Sequence, residues 1–155
     1  FLMLRSTPIS TLCPYPTLFR SVLEERIDDR GQEFPRVDER LVGRRHRIGY
    51  SVGVANNAAG QLDLVDNAIF RHDLVSGASQ VRTFPNGVVG EVVFVPNRPD
   101  AAEDDGILMG FGNDNTTGAG RLFVLDAQTL EDVASVELPT RVPIGFHGNW
   151  VPSGA

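Results

Sequence analysis

The stretch FRHDLVSGASQVRTF, residues 70–84, decides the fold. Two short strand-like runs flank LVSGAS, a turn with Gly77 near its middle. Runs this short, bounded by glycine, read as an antiparallel hairpin. A second stretch, FVLDAQTLEDVASVEL at 123–138, repeats the pattern of apolar strand, aspartate, polar turn and strand.

The neighbouring sequence follows suit. In RIGYSVGV (47–54), Ile48, Tyr50, Val52 and Val54 alternate with small or polar residues, as in a half-buried strand. VVFVP (92–96) is an apolar strand stopped by Pro96, where an amide donor is lost. ILMGFGN (107–113), RLFVLDA (121–127) and VASVELP (133–139) read as further strands. NNAAGQLD (56–63), NRPDAAEDDG (97–106) and DNTTGAG (114–120) read as loops and turns, and VLEERIDDRGQEF (22–34) as a short helical turn or loop. Strands at roughly ten- to fourteen-residue spacing with hairpin connections predict an all-β sandwich, barrel or propeller. The aspartate-turn pattern resembles propeller blades.

The chain has 155 residues, enough for one ordinary core, and its apolar runs are too short to span a bilayer as a helix. The net charge is −6 and every cation is arginine. That balance argues against nucleic acid, which needs a basic patch. GRRHR (43–47) is the one dense basic spot and reads as a solvated loop. Cys13 is the single cysteine, so no internal disulfide forms and a reducing, cytoplasmic bacterial setting is expected.

Residues 1–21 stand apart. They hold no acidic residue, carry Cys13, and end in PYPTLFRS, which resembles the translation of a common sequencing adapter. The expected division is a non-native segment over 1–21 and a native one over 22–155, with Cys13 then without function.

Three residues are candidates for chemistry. His147, in VPIGFHGNW, is a lone imidazole, ordinarily a buried structural residue. Glu91 stands just before an apolar strand, where burying an unpaired carboxylate is costly. Glu33 lies in EFPRVD; from pattern alone both glutamates would be surface residues. His46, in the arginine-rich turn, and His72, in the hairpin, read as structural or exposed.

EFPRVDERLVGRRHRIGY (33–50), GEVVFVP (90–96), AEDDGILM (102–109) and VPIGFHGNW (142–150) occur together in this order. Over residues 32–152 they resemble the C-terminal part of the carotenoid cleavage oxygenases, which include apocarotenoid and lignostilbene dioxygenases. The resemblance implies the last blades of a seven-bladed β-propeller. It implies an Fe(II) ion held by four histidines, of which His147 matches the last, with Glu91 and Glu33 matching carboxylates that orient the ligating rings. Imidazole suits iron, and a carboxylate on the second ring nitrogen offsets charge and fixes the tautomer. Of the two, Glu91 is the expected partner of His147. The implied reaction is cleavage of a conjugated C=C bond of a small apolar substrate by O2, with this segment alone inactive. Two positions depart from the family pattern: Val92 replaces a proline and Ile144 an aromatic residue, and neither removes a ligand. Membrane contact of the intact parent is compatible with the family but not indicated by these residues. A non-catalytic propeller module that binds a partner is the rival reading; a retinal-type isomerase is a third.

Overall fold

The computed structural model describes residues 24–56, 62–63, 67–143 and 145–153. The readings made on 1–21, Cys13 and Ile144 lie outside them.

Among the described residues ten strands form in chain order: β1 Gln32–Arg36, β2 Ile48–Gly53, β3 Ala55–Asn56, β4 Leu62–Asp63, β5 Ala68–Asp73, β6 Ser79–Thr83, β7 Gly87–Pro96, β8 Gly106–Asp114, β9 Gly120–Asp126 and β10 Asp132–Leu138. A single 3-10 turn at Glu39–Leu41 is the one helical piece among the described residues. The strands pair antiparallel into two four-stranded sheets, ordered β1-β2-β5-β6 and β10-β9-β8-β7, with β3 and β4 as a short separate ladder. These are two consecutive propeller blades, so the all-β, hairpin-built expectation holds.

The blades pack through one apolar face each. Alternation puts Ile48, Tyr50, Val52 and Ile69 on one side of the first sheet, against Val92, Phe94, Leu108, Phe123 and Leu125 of the second. The Tyr50 and Phe94 rings stack at 6.1 Å, and the Tyr50 hydroxyl donates to the Ala127 carbonyl at 3.0 Å. Each such fully buried side chain contributes about 1.5–3 kcal/mol from area removed from water. Close packing here uses Gly110 of β8: a Cβ on it would stand 2.6 Å from the Phe123 ring.

Three hairpin turns share one construction, which explains the repeated aspartate pattern. Asp73, Asp114 and Asp126 each end a strand and accept two turn amides through one carboxylate oxygen, from Val75 and Ser76, Thr116 and Thr117, and Gln128 and Thr129. The fifth turn residue is left-handed in all three: Gly77 and Gly118 at φ 73°, and Leu130 at φ 61°. Leucine keeps that conformation because its side chain is buried in the core, so burial offsets backbone strain.

Three expectations need correction. The 22–34 loop ends in β1, which tolerates Pro35 because it falls within a bulge between Glu33 and Arg36, where no ladder bond is required. The 56–63 loop is closed by the β3–β4 ladder, Asn56 opposite Leu62. Glu91 does not precede a strand: it lies inside β7, at a second bulge between Val89 and Val92.

Candidate metal centre

Two of the bulged strands, β1 and β7, are sheet edges that lie against each other where the sheets meet. A bulge re-aims side chains that a regular strand would alternate. On β7 it places the Glu91 carboxylate inward, with its side chain only 6% exposed. The segment after β10 then runs back across this edge.

Glu91 receives that segment with both oxygens. Oε2 accepts the Gly148 backbone N–H at 2.8 Å, and Oε1 lies 3.2 Å from His147 Nδ1. An accepting carboxylate at this nitrogen selects, in a neutral ring, the tautomer with the proton on Nδ1 and the lone pair on Nε2. The His147 side chain is 76% exposed and is therefore not a buried structural histidine. Phe34 of β1 meets the imidazole edge-on, ring centroids 5.9 Å apart. Phe34 itself stands at φ 54°, a conformation costing a bulky residue about 1–3 kcal/mol.

Two asparagines set the backbone around this pair. Asn67 takes both backbone groups of Val89 at the β7 bulge, donating to its carbonyl at 2.6 Å and accepting its N–H at 2.8 Å. Asn113 of β8 does the same to Val142, at 2.9 and 2.8 Å, and so docks the returning segment. A cavity of about 250 Å³ opens beside them, lined in part by Phe34, Val88, Glu91, Phe111, Phe146 and His147.

The other candidates lie elsewhere. Glu33 is exposed on β1 and makes no side-chain hydrogen bond to a described residue; its neighbour Phe34 reaches His147 instead. His46 is half-buried in its loop, with Nδ1 3.4 Å from the Arg44 carbonyl oxygen. His72 is buried between Gln32 and Ser79, each at 2.7 Å, and burial pushes its imidazole below the ordinary value. Asn67, Asn113, Phe34 and Arg36 escaped the sequence reading. Phe34 and Arg36 lie within EFPRVD, but no local signal marks an asparagine that clamps a backbone more than 20 residues away.

Among the described residues no three histidine, cysteine or acidic side chains gather as a metal cage. What the site offers is one oriented imidazole with a free nitrogen, backed by a buried carboxylate. That donor set fits one corner of a histidine-ligated metal, not a whole centre.

Two antiparallel blades carrying this pair at their meeting edge define a segment of a β-propeller protein. The profile of the Retinal pigment epithelial membrane protein family matches residues 5–152, and the chain belongs to that family. The match begins inside the stretch set apart as 1–21. The carotenoid cleavage oxygenase of Mycobacterium tuberculosis is 49% identical over 135 residues, covering 86% of this chain and 27% of the relative. Apocarotenoid-15,15'-oxygenase of Synechocystis is 38% identical over 121 residues, 76% of this chain and 24% of the relative. The structure of cobalt-substituted Synechocystis ACO superposes with a TM-score of 0.72 at 32% identity, over 82% of this chain and 26% of that one. The chain thus spans about a quarter of the length of the relatives it matches.

Proposed function

We propose that this chain contributes one ligand, His147, to the iron centre of an oxygenase that cleaves a conjugated C=C bond with O2. The carrying observation is the Glu91 carboxylate, which takes His147 Nδ1 and the Gly148 N–H together and leaves Nε2 free. Fe(II), when bound, supplies the site at which O2 is activated; one C=C and one O2 become two carbonyl groups. His147 donates its Nε2 lone pair. Glu91 holds the tautomer and offsets part of the metal charge, which neutral imidazoles leave uncompensated. Glu33, exposed on β1, is the second carboxylate that the family resemblance offers for orienting a ligand ring. Phe34, Val88, Phe111 and Phe146 line an apolar cavity suited to a hydrocarbon.

The relatives are named for carotenoid, apocarotenoid and lignostilbene cleavage, so the substrate class is a small apolar molecule with an extended conjugated chain. Those names favour the oxygenase over a partner-binding module. With one proposed ligand, His147, the 155-residue chain alone should bind Fe(II) weakly and cleave nothing.

The test uses the intact oxygenase carrying this segment. His147→Ala should empty or weaken the iron site. Glu91→Gln should keep the shape and cost on the order of 10–100-fold in metal affinity or activity. Iron content and carbonyl products are measured in both variants, and full iron with full cleavage in His147→Ala would overturn the reading.

A further inference from the structure

We infer that Arg36 is a positioning residue for His147: its guanidinium fastens the histidine-bearing segment to the blade edge and thereby sets the direction of the ring. The inference rests on the metal-ligand reading of His147 given above.

Arg36 ends β1, and its side chain is 17% exposed. Nη2 donates to the Gly148 carbonyl at 2.8 Å and to Asn149 Oδ1 at 3.2 Å. Nη1 lies 3.7 Å from Glu91 Oε1, the oxygen beside His147 Nδ1. Glu39, three residues along the chain, lies 3.5 Å from Nη2 on an exposed flank. One planar group therefore touches the residue after the ligand, the next residue, and the carboxylate that orients the ligand. Gly148 is held from both sides, its N–H by Glu91 and its carbonyl by Arg36.

The segment has little else to hold it. Residues 145–150 form no strand, and Phe146, His147, Gly148, Asn149 and Trp150 are all exposed. An exposed imidazole on an unpaired backbone would sample several directions. A metal ligand must be held close to its productive direction by its supporting groups. Arginine suits the task because its donors are fixed in one plane, whereas a lysine ammonium on a flexible stem can serve one of these acceptors at a time.

Two effects of Arg36 oppose each other. Its fork orders the ligand, which favours metal binding. Its positive charge draws on Glu91 and repels a nearby cation, which disfavours it. The geometry favours the fork, because hydrogen bonds at 2.8 and 3.2 Å are made to the segment while the contact with Glu91 is longer. The sign of the mutational effect separates the two.

The experiment is Co(II) titration of the metal-depleted intact oxygenase, followed by ligand-field absorption, for the parent, Arg36→Met, Arg36→Lys, Asn149→Ala and His147→Ala. Arg82→Met, which breaks an exposed ion pair with Asp132, is the control. Arg36→Met should weaken Co(II) binding on the order of 10-fold and shift the ligand-field bands, as loss of a supporting partner does. Arg36→Lys should recover little of either, and Asn149→Ala should weaken binding by a smaller factor. Arg82→Met should match the parent. If Arg36→Met does not fold, Arg36→Lys and Asn149→Ala decide. Unchanged or tighter Co(II) binding in the Arg36 variants, or full recovery by lysine, overturns the inference. Unchanged binding in His147→Ala overturns the metal-ligand reading itself.

Discussion

The hairpin turns and the segment from Arg141 to Trp150 are built on opposite plans. Each aspartate turn closes on itself: Asp114 caps amides two and three residues away, and the Gly118 N–H returns to the Asp114 carbonyl. The returning segment is anchored mostly from outside, its Trp150 N–H alone among the described bonds turning back to Asn149 Oδ1. Val142 is held by Asn113, Gly148 by Glu91 at a separation of 57 residues and by Arg36 at 112. The scaffold is stabilised by local hydrogen bonds and by burial. The site is assembled from side chains that meet only after both sheets exist. The proposed site therefore sits on a backbone with few local bonds among the described residues, held by a more self-sufficient one.

The sharpest way to break the contrast is to damage the scaffold alone. Leu108 is fully buried between the sheets, and Leu108→Ala should cost about 2–5 kcal/mol in urea unfolding. A loss below about 1 kcal/mol would mean that the two blades do not share one core. Asn67→Ala tests the junction of the two plans. It leaves the buried Val89 N–H and carbonyl without partners, for a loss of about 1–3 kcal/mol. The His147 ring signals in an NMR spectrum should move with it, because the β7 bulge carries Glu91. Unmoved signals would show that the bulge holds its shape without Asn67.

Acid should separate the regions more gently. Hydrogen bonds from the Thr116 backbone hold the Asp114 carboxyl below the usual range, and the Arg47 guanidinium does so for Asp73. Their contributions are complete above the unfolded carboxyl value of about 3.9 and fade as pH falls through the lower folded values. His72 acts earlier. Burial lowers its folded value, so the unfolded chain binds the proton first and stability declines once pH drops below about 6.5. Urea midpoints from neutral pH downward should show both limbs, with His72→Gln removing the first and Asp114→Asn reducing the second. A flat profile down to about pH 5 in the parent would refute the histidine limb.

The smallest expected effect sharpens the comparison most. His147 is exposed and lies off the ladders, so His147→Ala should change the unfolding free energy of the chain by less than about 0.5 kcal/mol. A large loss would make His147 part of the scaffold after all.

Much of the scaffold was legible residue by residue. The alternation of Ile48, Tyr50 and Val52, the glycine of LVSGAS, and Pro96 at the end of β7 each act through backbone geometry within a few residues, and that geometry is written locally. The repeated aspartates were visible as a pattern and explained only by the turn amides they accept. Of the site, His147 and Glu91 were singled out through the family resemblance, but their adjacency depends on a bulge inside β7, and a bulge is a compromise between two paired strands that neither encodes alone. The exposure of His147, expected by default to be buried, follows from where the returning segment crosses the blade edge. Pro35 stands within β1 only because pairing with β2 leaves its position at a bulge. Asn67, Asn113 and Arg36 carry no local signature, because each acts on a backbone or carboxylate that chain closure alone brings within 3 or 4 Å. Local periodicity determined the strands and turns of this protein; the direction of one imidazole was decided by hydrogen bonds spanning up to 113 residues, which exist only in the folded chain.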